Sequence, residues 1–314
     1  MPAVQLISDL AISIVSYRTP ELLRTCLQAV FAQGDSLKLD VTVVDNASGD
    51  ESADMVASEF PQVSLIRNTR NVGFGAAHNQ ALRAASARHL LVLNSDTQPR
   101  TGALRQLVDY LDAHSDVGVV SPRLRYPTGA LAPSVRRFPT ALTFFFESTQ
   151  LQRFWPSSHV VNRYYMRDRR DDGAPHEVDW VTGACLCVRA AAAADVGLFD
   201  ERFFMYSEEV DWCRRFGAAG WRVVYLPASE VMHHEGASTS QDLAARDVTF
   251  QSSKLRYIAR WHGPRVAAAF RGYLALEYLA RGLEECLKLA AGSRVSERRA
   301  RLGVIALGLR HVLR

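Results

Sequence analysis

The sequence predicts an α/β protein with a mostly parallel central sheet flanked by helices and a helical appendage at its C-terminal end. Strand and helix signals alternate through the first hundred residues, and two strand signals end on an aspartate. Such alternation is typical of parallel sheets covered by helices. Residues 254–314 hold thirteen Lys/Arg against four Asp/Glu, a net charge of +9 in a chain of +4. We therefore predict an α/β domain over residues 1–243 and a basic amphipathic helical region over residues 244–314.

The composition is that of a globular protein with an ordinary core. The chain has 314 residues, of which 48% are hydrophobic and 22% are charged. Its five cysteines include no CxxC pair, which disfavours a disulfide framework or a zinc knuckle and favours a reducing compartment. Asp9 interrupts the apolar N-terminal stretch, so we expect no signal peptide, and without a long apolar run we expect no spanning helix. These features favour a cytoplasmic protein.

The first strand and helix are signalled within the first 31 residues. The run LAISIVSY (10–17) is apolar and β-branched, as strands are. Thr19 is a candidate N-cap, and Pro20 suits the first helical position. Apolar residues then recur at helical spacing at Leu22, Leu23, Cys26, Leu27 and Val30. The segment therefore predicts a strand followed by an amphipathic helix.

Three further strands follow, separated by helices. Their sequences are LDVTVVD (39–45), VSLIRN (63–68) and HLLVLNSD (89–96). Between the first two, Asp50 or Ser52 caps a predicted helix that runs to Glu59. Between the last two, the glycine turn and the residues after it, GFGAAHNQALRAASA, predict another helix.

The later half repeats the pattern less regularly. The relevant stretches are WVTGACLCVRAAAAADVG (180–197), a strand and a helix, WRVVYLP (221–227), a strand, and MHHEGAS (232–238). Glu208, Glu209 and Asp211 stand at the start of a further predicted helix. Acidic residues in a first turn interact favourably with the helix dipole, so capping alone is one explanation for them.

Several chemistry-bearing residues stand where predicted strands end. Ser16 and Tyr17 end the first strand, Asp45 ends the second and Asp96 ends the fourth. The carboxyl ends of parallel strands meet at one edge of a sheet, where α/β proteins bind their ligands. Asx residues also end strands simply by closing a turn, and for either aspartate alone that alternative stays open. Their joint position favours a binding site at this edge.

The set of candidate functional residues is wider than this edge. It comprises Asp45, Asp96, the Glu208–Glu209 pair and the His233–His234 pair. A carboxylate and an imidazole at strand ends suit a hard divalent cation that substrate phosphates also bind. An acidic pair can keep one carboxylate poised as a general base. The turn NVGFGAAHN (71–79) lacks a third glycine and follows the third strand, which counts against a dinucleotide-binding fingerprint.

In their order along the chain, these motifs resemble family 2 of the inverting nucleotide-sugar glycosyltransferases, closest to its bacterial rhamnosyltransferase-like branch. The matching stretches lie between residues 11 and 238 and are ISIVSYRTPELLRTCL, VTVVDNASGD, NVGFGAAHNQAL, LLVLNSDTQP, TGACLCVRA, GLFDERFFMYSEEVDWCRRFGAAGWRVVYLP and MHHEGAS. Each stretch is weak alone, but seven in register make chance a poor explanation. The resemblance implies the GT-A nucleotide-diphospho-sugar transferase fold.

The resemblance also implies which residues bind the donor nucleotide. Asp45 is similar to the aspartate that holds the base or the ribose, and Ser16 and Tyr17 lie where first-strand residues wall that site. The other nucleotide-binding positions that it implies are Asn71, Gly73, Asn79 and Ser95.

A metal site is implied in the same way. Asp96 matches the last residue of the metal-binding DxD motif, and Asn94 stands in place of its first Asp. His233 aligns with the histidine that completes metal coordination, with His234 as the alternative. The resemblance therefore implies a Mg²⁺ or Mn²⁺ cofactor with one carboxylate fewer than the full motif.

The acidic pair supplies the catalytic candidates. Glu209 matches the second acid of the family's ED pair, the usual base, with Glu in place of Asp. Glu208 is the alternative, or else a residue that starts the helix or orients the acceptor. In an inverting transfer the base takes the proton of the acceptor hydroxyl, while the metal stabilises the leaving nucleoside diphosphate.

The implied function is transfer of a sugar from a nucleotide-sugar to a hydroxyl of a cell-surface glycan or lipid-linked acceptor. The branch favours dTDP-L-rhamnose as donor, with a UDP-sugar as the alternative. A non-catalytic nucleotide-sugar-binding module of the same fold also stays open, although such a module has no use for a base. A nucleotidyltransferase or a dehydrogenase would carry a glycine-rich loop after the first strand, where this chain has SYRTPEL. We expect no nucleic acid among the partners.

The C-terminal region mixes apolar with basic residues. Its apolar residues include Leu274, Leu276, Tyr278, Leu279, Leu283, Leu287 and Leu289, and Gly292 divides the pattern into two helices. One interpretation is a helical hairpin packed on the α/β domain, or a homodimer contact. The other is a monotopic helix pair on the anionic inner face of the cell membrane.

Overall fold

The computed structural model describes residues 8–33, 37–147, 149–167, 173–235, 243–292 and 294–313. They form two compact units. The sheet unit comprises Met1–Phe138, Arg169–Phe204 and Glu208–Ser238, and the helical unit comprises Pro139–Asp168, Met205–Ser207 and Thr239–Arg314. The end of the MHHEGAS motif lies outside the described residues, as do the residues just before position 243. The division at that position therefore stays a prediction.

Eleven strands occur in the described part of the chain. They are β1 (Ser8–Ser16), β2 (Leu39–Asp45), β3 (Ser64–Arg67), β4 (Ala87–Asn94), β5 (Thr97–Pro99), β6 (Val117–Arg125), β7 (Val135–Arg136), β8 (His176–Glu177), β9 (Trp180–Val181), β10 (Cys185–Arg189) and β11 (Arg222–His233). The main sheet has the order β3-β2-β1-β4-β10-β6-β11-β5, with β8 beside β11, and β7 pairs with β9 in a second small sheet.

The helices of the described ranges are α1 (Pro20–Phe31), α2 (Ser52–Glu59), α3 (Phe74–Ala84), α4 (Ala103–Ala113), α5 (Ala141–Phe146), α6 (Gln150–Phe154), α7 (His159–Tyr164), α8 (Ala190–Val196), α9 (Glu208–Ala218), α10 (Leu243–His262), α11 (Pro264–Ala290) and α12 (Val295–Leu313). Those of the sheet unit are α1–α4, α8 and α9. None of the helices in these ranges is both long enough and apolar enough to cross a membrane.

The predicted α/β class is confirmed, and the sheet is mixed. Strands β1, β2, β3 and β4 run parallel, as do β6 and β11. Strand β10 lies between β4 and β6 and runs antiparallel to both. The sheet is therefore not the purely parallel one that the strand–helix alternation alone would give.

Alternating side chains of β1 cover both faces of the sheet. Ile12 and Ile14 belong to the main core, which also contains the buried faces of α1 and α4. Between them, Ser13 points to the other face, where its Oγ lies 2.8 Å from Nδ1 of the buried His78 of α3. Helices on both faces leave the ends of the strands as the accessible edge of the sheet.

The helical unit has a core of its own. Phe270, Leu274 and Tyr278 of α11 are buried, and a Cβ placed on Gly308 of α12 would collide with the Tyr278 ring. Gly292, with a φ of +73°, marks the break between α11 and α12, as the sequence predicts. The predicted C-terminal helical region is thereby confirmed.

Candidate active site

The carboxyl ends of neighbouring strands form one edge of the sheet. In the parallel register, Ser16 at the end of β1 pairs with Asp45 at the end of β2, and Val15 pairs with Asn94 at the end of β4. Residues 95–96 follow Asn94 directly. The structure therefore brings together Ser16, Asp45 and the turn after β4, which are far apart in sequence.

Hydroxyl groups connect two of these strand ends. Thr19 Oγ1 lies 3.0 Å from Ser95 Oγ and 3.5 Å from Ser16 Oγ, and all three residues are buried. Thr19 occupies the predicted N-cap position of α1, but its side chain makes no capping hydrogen bond. The hydroxyl contacts Ser95 instead, so Thr19 fixes the turn after β4 against the end of β1.

Asn46, a residue that the motifs do not single out, organises the loop after β2. Its Nδ2 donates to Asn71 Oδ1 (2.9 Å) and to the carbonyl of Gly73 (3.1 Å). Its Oδ1 accepts a hydrogen bond from the amide of Val72 (3.0 Å). Asn71 and Gly73 are thereby held at the end of β2. The sequence signal for this role is an amide side chain directly after Asp45 at the end of a buried strand.

Gly73 is required by a close approach of two backbone segments. Its φ is +91°, and a Cβ at this position would collide with the carbonyl oxygen of Phe204. The amide of Phe74 donates to that same oxygen at 2.7 Å. The turn that opens α3 is therefore fixed against residue 204.

Both the oxygen and the nitrogen of the Asn79 side-chain amide make hydrogen bonds within the protein. Its Oδ1 accepts from the amide of Phe199 (3.1 Å), and its Nδ2 donates to the carbonyl of Phe199 and to Glu201 Oε1, both at 2.9 Å. In the structure Asn79 anchors α3 to residues 199–201. Its predicted contact with a nucleotide stays a prediction.

Asp45 keeps a buried oxygen that the protein does not satisfy. The residue is 8% exposed, and its Oδ1 has no hydrogen-bond partner among the described residues. Tyr17 follows Ser16, the residue paired with Asp45 in the sheet, and is partly exposed; the guanidinium of Arg18 lies 5.0 Å from the centre of its ring. This strand end therefore offers an acceptor oxygen, and an aromatic ring and a cation follow the adjacent strand end.

Asp96 and His233 are brought together by the pairing of β5 with β11. His233 lies opposite Thr97 in the antiparallel register, and its Nε2 is 3.3 Å from Asp96 Oδ1. That oxygen is buried and accepts no hydrogen bond from the described residues. The ring of His234 points elsewhere, with its Nε2 3.2 Å from Gln98 Nε2. Of the two predicted histidines, the structure therefore places the His233 ring beside Asp96.

A divalent cation with few protein ligands fits this pair. Asp96 offers a carboxylate oxygen without a hydrogen bond, and His233 offers an imidazole nitrogen. The described residues contain no group of three or more His, Cys, Asp or Glu that could hold a metal ion. Mg²⁺ commonly binds through one or two carboxylates together with substrate phosphates. The pair therefore suits a cation whose remaining ligands come from a diphosphate.

The acidic pair lies at the start of α9. Glu208 is 3% exposed, and a Cβ on Gly75 of α3 would lie 3.8 Å from its Cβ. Glu209 is partly exposed and lies beside Gly183, whose added Cβ would be 4.0 Å from the Cβ of Glu209. Ala184, which follows Gly183, accepts a hydrogen bond at its carbonyl from the amide of Asn94 at 3.0 Å. Glu209 and the Asn94–Asp96 turn therefore contact the same short loop, 183–184.

Glu209 has the electrostatics of a base that works near neutral pH. Its Oε2 is buried and has no hydrogen bond to the described residues. Burial raises the pKa of Glu209 to about 7, although the backbone amides of Glu209 and Val210 and the charge of Arg136 act in the opposite direction. A pKa near the working pH is what general base catalysis favours.

Two other ionisable residues near these groups, Asp211 and Cys26, interact with the fold itself. Asp211 Oδ2 accepts from Arg215 Nε at 3.0 Å, and that guanidinium also bonds to the carbonyls of Val196, Gly197 and Leu198. Cys26 Sγ lies 3.6 Å from the carbonyl of Asn94, and burial raises the pKa of this thiol to about 12. The Asp211 carboxylate is therefore part of a structural ion pair, and the Cys26 thiol stays protonated at neutral pH.

The sheet with its polar edge defines an α/β protein of the class that binds ligands at strand ends. Residues 11–173 match the family model described as Glycosyl transferase family 2. The chain is 33% identical over 254 residues to N-acetylglucosaminyl-diphospho-decaprenol L-rhamnosyltransferase of Mycobacterium tuberculosis, an alignment that covers 76% of this chain and 81% of that protein. The chain belongs to glycosyl transferase family 2 and is a glycosyltransferase.

Two solved structures share the fold. GalNAc-T7 with UDP, GalNAc and Mn²⁺ matches with a TM-score of 0.58 and 13% identity, covering 95% of this chain and 55% of that one. The mannosyltransferase PcManGT from Pyrobaculum calidifontis, in complex with GDP-Man and Mn²⁺, matches with a TM-score of 0.55 and 17% identity, covering 98% and 87%. At these identities the likeness concerns the fold, and it confirms the predicted GT-A architecture.

Proposed function

We propose that the enzyme transfers L-rhamnose from dTDP-L-rhamnose, with inversion, to a hydroxyl of a lipid-linked glycan acceptor. The similarity to the rhamnosyltransferase of Mycobacterium tuberculosis supports this donor and an acceptor of the sugar-diphospho-polyprenol class. The observation that carries the catalytic part is the buried Oε2 of Glu209, which has no hydrogen bond to the part of the chain that the structure describes and belongs to a carboxyl with a pKa of about 7.

The donor nucleotide is proposed to bind at the strand edge. Asp45 would accept a hydrogen bond from the base or a ribose hydroxyl through its unsatisfied Oδ1. Tyr17 would present its ring to the base, since stacking on aromatic faces is a common way to hold bases. Asn71 and Gly73 would shape the loop beside the nucleotide. Asn79 would anchor α3 beside the nucleotide, and its contact with the nucleotide itself stays a prediction.

The diphosphate end is proposed to lie at the turn after β4. Asp96 and His233 would hold Mg²⁺ or Mn²⁺, and Ser16 and Ser95 would line the floor of the site. The cation supplies Lewis-acid stabilisation of the leaving diphosphate when it is bound. Asp96 would contribute the carboxylate charge that holds it, and the pairing of β5 with β11, which brings the His233 ring beside Asp96, supports His233 as the second ligand.

Glu209 is proposed to act as the general base. Its Oε2 takes the proton of the acceptor hydroxyl while that oxygen forms the new bond to the anomeric carbon. The bond from the anomeric carbon to the nucleoside diphosphate breaks at the same time, and the electron pair leaves with the diphosphate. General base catalysis of this kind contributes roughly 10²–10⁴-fold to the rate. Glu208, buried against α3, is proposed to position the start of α9.

The enzyme is further proposed to work at the inner face of the cell membrane, where a lipid-linked acceptor is presented. A transfer assay tests the whole proposal. Release of free nucleoside diphosphate is measured from dTDP-L-rhamnose and from UDP-sugars, each with and without a polyprenyl-diphosphate sugar acceptor. We expect acceptor-dependent release from dTDP-L-rhamnose, with β-to-α or α-to-β inversion visible by NMR of the product.

Controls separate the competing interpretations. Glu51→Gln, an exposed substitution in the sheet unit, should keep full turnover, whereas Glu209→Gln should not. If nucleoside diphosphate is released faster from a UDP-sugar than from dTDP-L-rhamnose, the UDP-sugar would be assigned as the donor. Binding of donor without release under any acceptor condition would favour the non-catalytic nucleotide-sugar-binding module.

A further inference from the structure

The outer side of α11 is apolar along most of its length. Four leucines are exposed there by 68%, 55%, 63% and 64%, namely Leu276, Leu279, Leu283 and Leu287. Their spacing of three and four residues places them on one side of the helix. The other well-exposed residues between positions 272 and 290 are Gly272, Ala280, Cys286 and Ala290. The charged side chains of Arg281, Glu284 and Lys288 in the same stretch are exposed by 36%, 37% and 42%. We call this surface, formed by the four leucines, the leucine face.

The leucine face takes no part in the core of the helical unit. The buried residues of α11 are Phe270, Leu274, Tyr278 and Glu285, so α11 carries apolar residues on two sides. A helix at the surface of a globular protein usually presents polar residues outward. Contiguous exposed apolar surface of this kind marks a site of interaction with a partner or a membrane.

The helices α11 and α12 carry more basic than acidic residues. Carboxylates of this region are engaged, as when Glu285 Oε2 accepts from Arg298 Nη1 at 2.8 Å. In contrast, exposed arginines of α11 and α12 have no carboxylate partner within the described ranges, namely Arg265, Arg271, Arg299 and Arg310. The surplus cations favour an anionic occupant over a second copy of this chain, which would bring the same cations face to face.

Two exposed aromatic residues lie close to α11. Phe154 and Trp155, at the end of α6, are 67% and 57% exposed. The preceding Arg153 holds this end of α6 against α11, because its Nη1 lies 3.7 Å from Glu284 Oε1. Tryptophan is enriched where a membrane surface meets water, since its ring is apolar and its N–H is polar.

We propose that the leucine face, with Phe154 and Trp155, inserts into an anionic lipid surface while exposed arginines of α11 and α12 bind headgroup phosphates. Amphipathic elements bind membranes in this way, through apolar area and cations together. The proposal rests on the proposed function in one respect, because a lipid-linked acceptor gives the docking its purpose. The lipid contact itself requires neither donor nor acceptor.

Vesicle flotation of the full chain tests the docking surface. Vesicles of phosphatidylcholine are compared with vesicles that also contain about 30% phosphatidylglycerol, at about 0.1 M and about 0.5 M salt. We expect the wild type to prefer the anionic vesicles and to lose binding at high salt. The double variant Leu279→Gln/Leu283→Gln should bind at least tenfold more weakly, a factor that corresponds to about 1.4 kcal/mol.

Matched variants make the outcome specific. Leu131→Gln removes a leucine of the sheet unit that is 49% exposed, and it should leave flotation unchanged. Arg265→Gln/Arg271→Gln should weaken binding to anionic vesicles and leave the weak binding to neutral vesicles unaltered. Circular dichroism confirms that each variant is folded, which glutamine at exposed helical positions allows.

Three results would overturn the proposal. They are no binding of the wild type to anionic vesicles, equal flotation of wild type and leucine variant, and a wild-type dimer that the leucine variant dissociates in light scattering. The last result would assign the leucine face to a second copy. Transfer to a water-soluble acceptor analogue should survive in the leucine variant. Absence of transfer in a wild type that still binds vesicles would count against the proposed function alone.

Discussion

Buried carboxylates of the two units differ in whether they have a cationic partner. In the helical unit, Lys254 Nζ lies 2.9 Å from Glu147 Oε2, and both side chains are largely buried. Arg298 Nη1 and Glu285 Oε2 form a similar pair at 2.8 Å. Even Glu277, which has one oxygen without a hydrogen bond, lies 3.9 Å from an arginine. These charges compensate one another, as burial requires.

In the sheet unit, several carboxylates keep a buried oxygen without a hydrogen bond to the described residues. With Glu208, whose Oε2 is also without such a bond, the set numbers four: Asp45, Asp96, Glu208 and Glu209. Each unsatisfied acceptor costs about 1–3 kcal/mol, so such groups persist where a ligand supplies the partner. Carboxylates with a cationic partner therefore stabilise the fold, whereas we expect carboxylates with an unsatisfied oxygen to bind the substrate or its cation. Removing the first kind should lower stability, and removing the second kind should lower turnover.

Asp96→Ala should have the largest effect on turnover. It removes the carboxylate of the proposed cation site, and loss of such electrostatic stabilisation costs about 10³-fold in rate. The variant should keep the melting temperature of the wild type, because no hydrogen bond to Asp96 Oδ1 is lost. The checks are nucleoside diphosphate release and calorimetry. Undiminished wild-type turnover in excess chelator would contradict the role of the metal.

Glu147→Gln should have the largest effect on stability. It leaves the buried Lys254 without its carboxylate, and breaking a buried pair costs about 3 kcal/mol. The exposed pair of Glu21 with Arg24 is the control, and Glu21→Gln should change the free energy of unfolding by less than about 0.5 kcal/mol. Thermal unfolding measures both. Equal melting temperatures for the two variants would remove the distinction between paired and surface carboxylates.

Glu209→Gln should lower kcat by about 10²-fold or more with little change in donor KM. The amide is nearly isosteric but cannot accept the proton. Glu208→Gln should be milder, since we interpret Glu208 as a positioning residue. Steady-state kinetics of both variants decide the assignment. An inactive Glu208→Gln beside an active Glu209→Gln would exchange the two roles, and two active variants would remove the acidic pair from the mechanism.

The raised pKa of Glu209 predicts opposite pH trends for turnover and stability. Turnover should rise through pH 7, because the base works only when ionised and its pKa is about 7. The free energy of unfolding should fall between about pH 4.5 and pH 7, because folding favours the protonated form; the total change is about 1–3 kcal/mol. Glu209→Gln should remove this decrease. Identical stability profiles for the variant and the wild type would contradict the prediction.

His234→Ala should have the smallest effect, a loss of less than about threefold in turnover, because its ring contacts Gln98 and not Asp96. His233→Ala should lose distinctly more. Initial rates at saturating donor measure the difference. The reverse order would show that the other imidazole serves the cation.

The local part of the fold can be predicted from the sequence. Periodicity and capping residues predict β1 to β4, the helices between them and the start of α9, because these signals lie within each segment. The antiparallel position of β10 between β4 and β6 cannot be predicted in this way. Strand pairing is decided by competition between segments far apart in the chain.

The same distinction between local patterns and long-range pairing applies to the residues of the candidate site. Asp45 and Asp96 can be placed at the edge of the sheet because strand ends follow from local patterns. The family resemblance favours His233 over His234, but the physical reason, the register of β11 against β5, cannot be derived from local patterns. The contact of Thr19 with Ser95 joins residues 76 positions apart. For that reason a local analysis assigns Thr19 a cap and misses its actual partner.

Calorimetric titration of dTDP, the proposed leaving group, tests the central claim most directly. The claim is that Asp96, together with a divalent cation, holds the diphosphate of the donor, and that Glu209 acts only in the chemical step. With Mn²⁺ present, wild type and Glu209→Gln should bind dTDP with similar Kd, and Asp96→Asn should bind at least about tenfold more weakly. Omitting Mn²⁺ should weaken binding to the wild type by a similar factor. Equal, metal-independent binding of dTDP by wild type and Asp96→Asn would contradict the account.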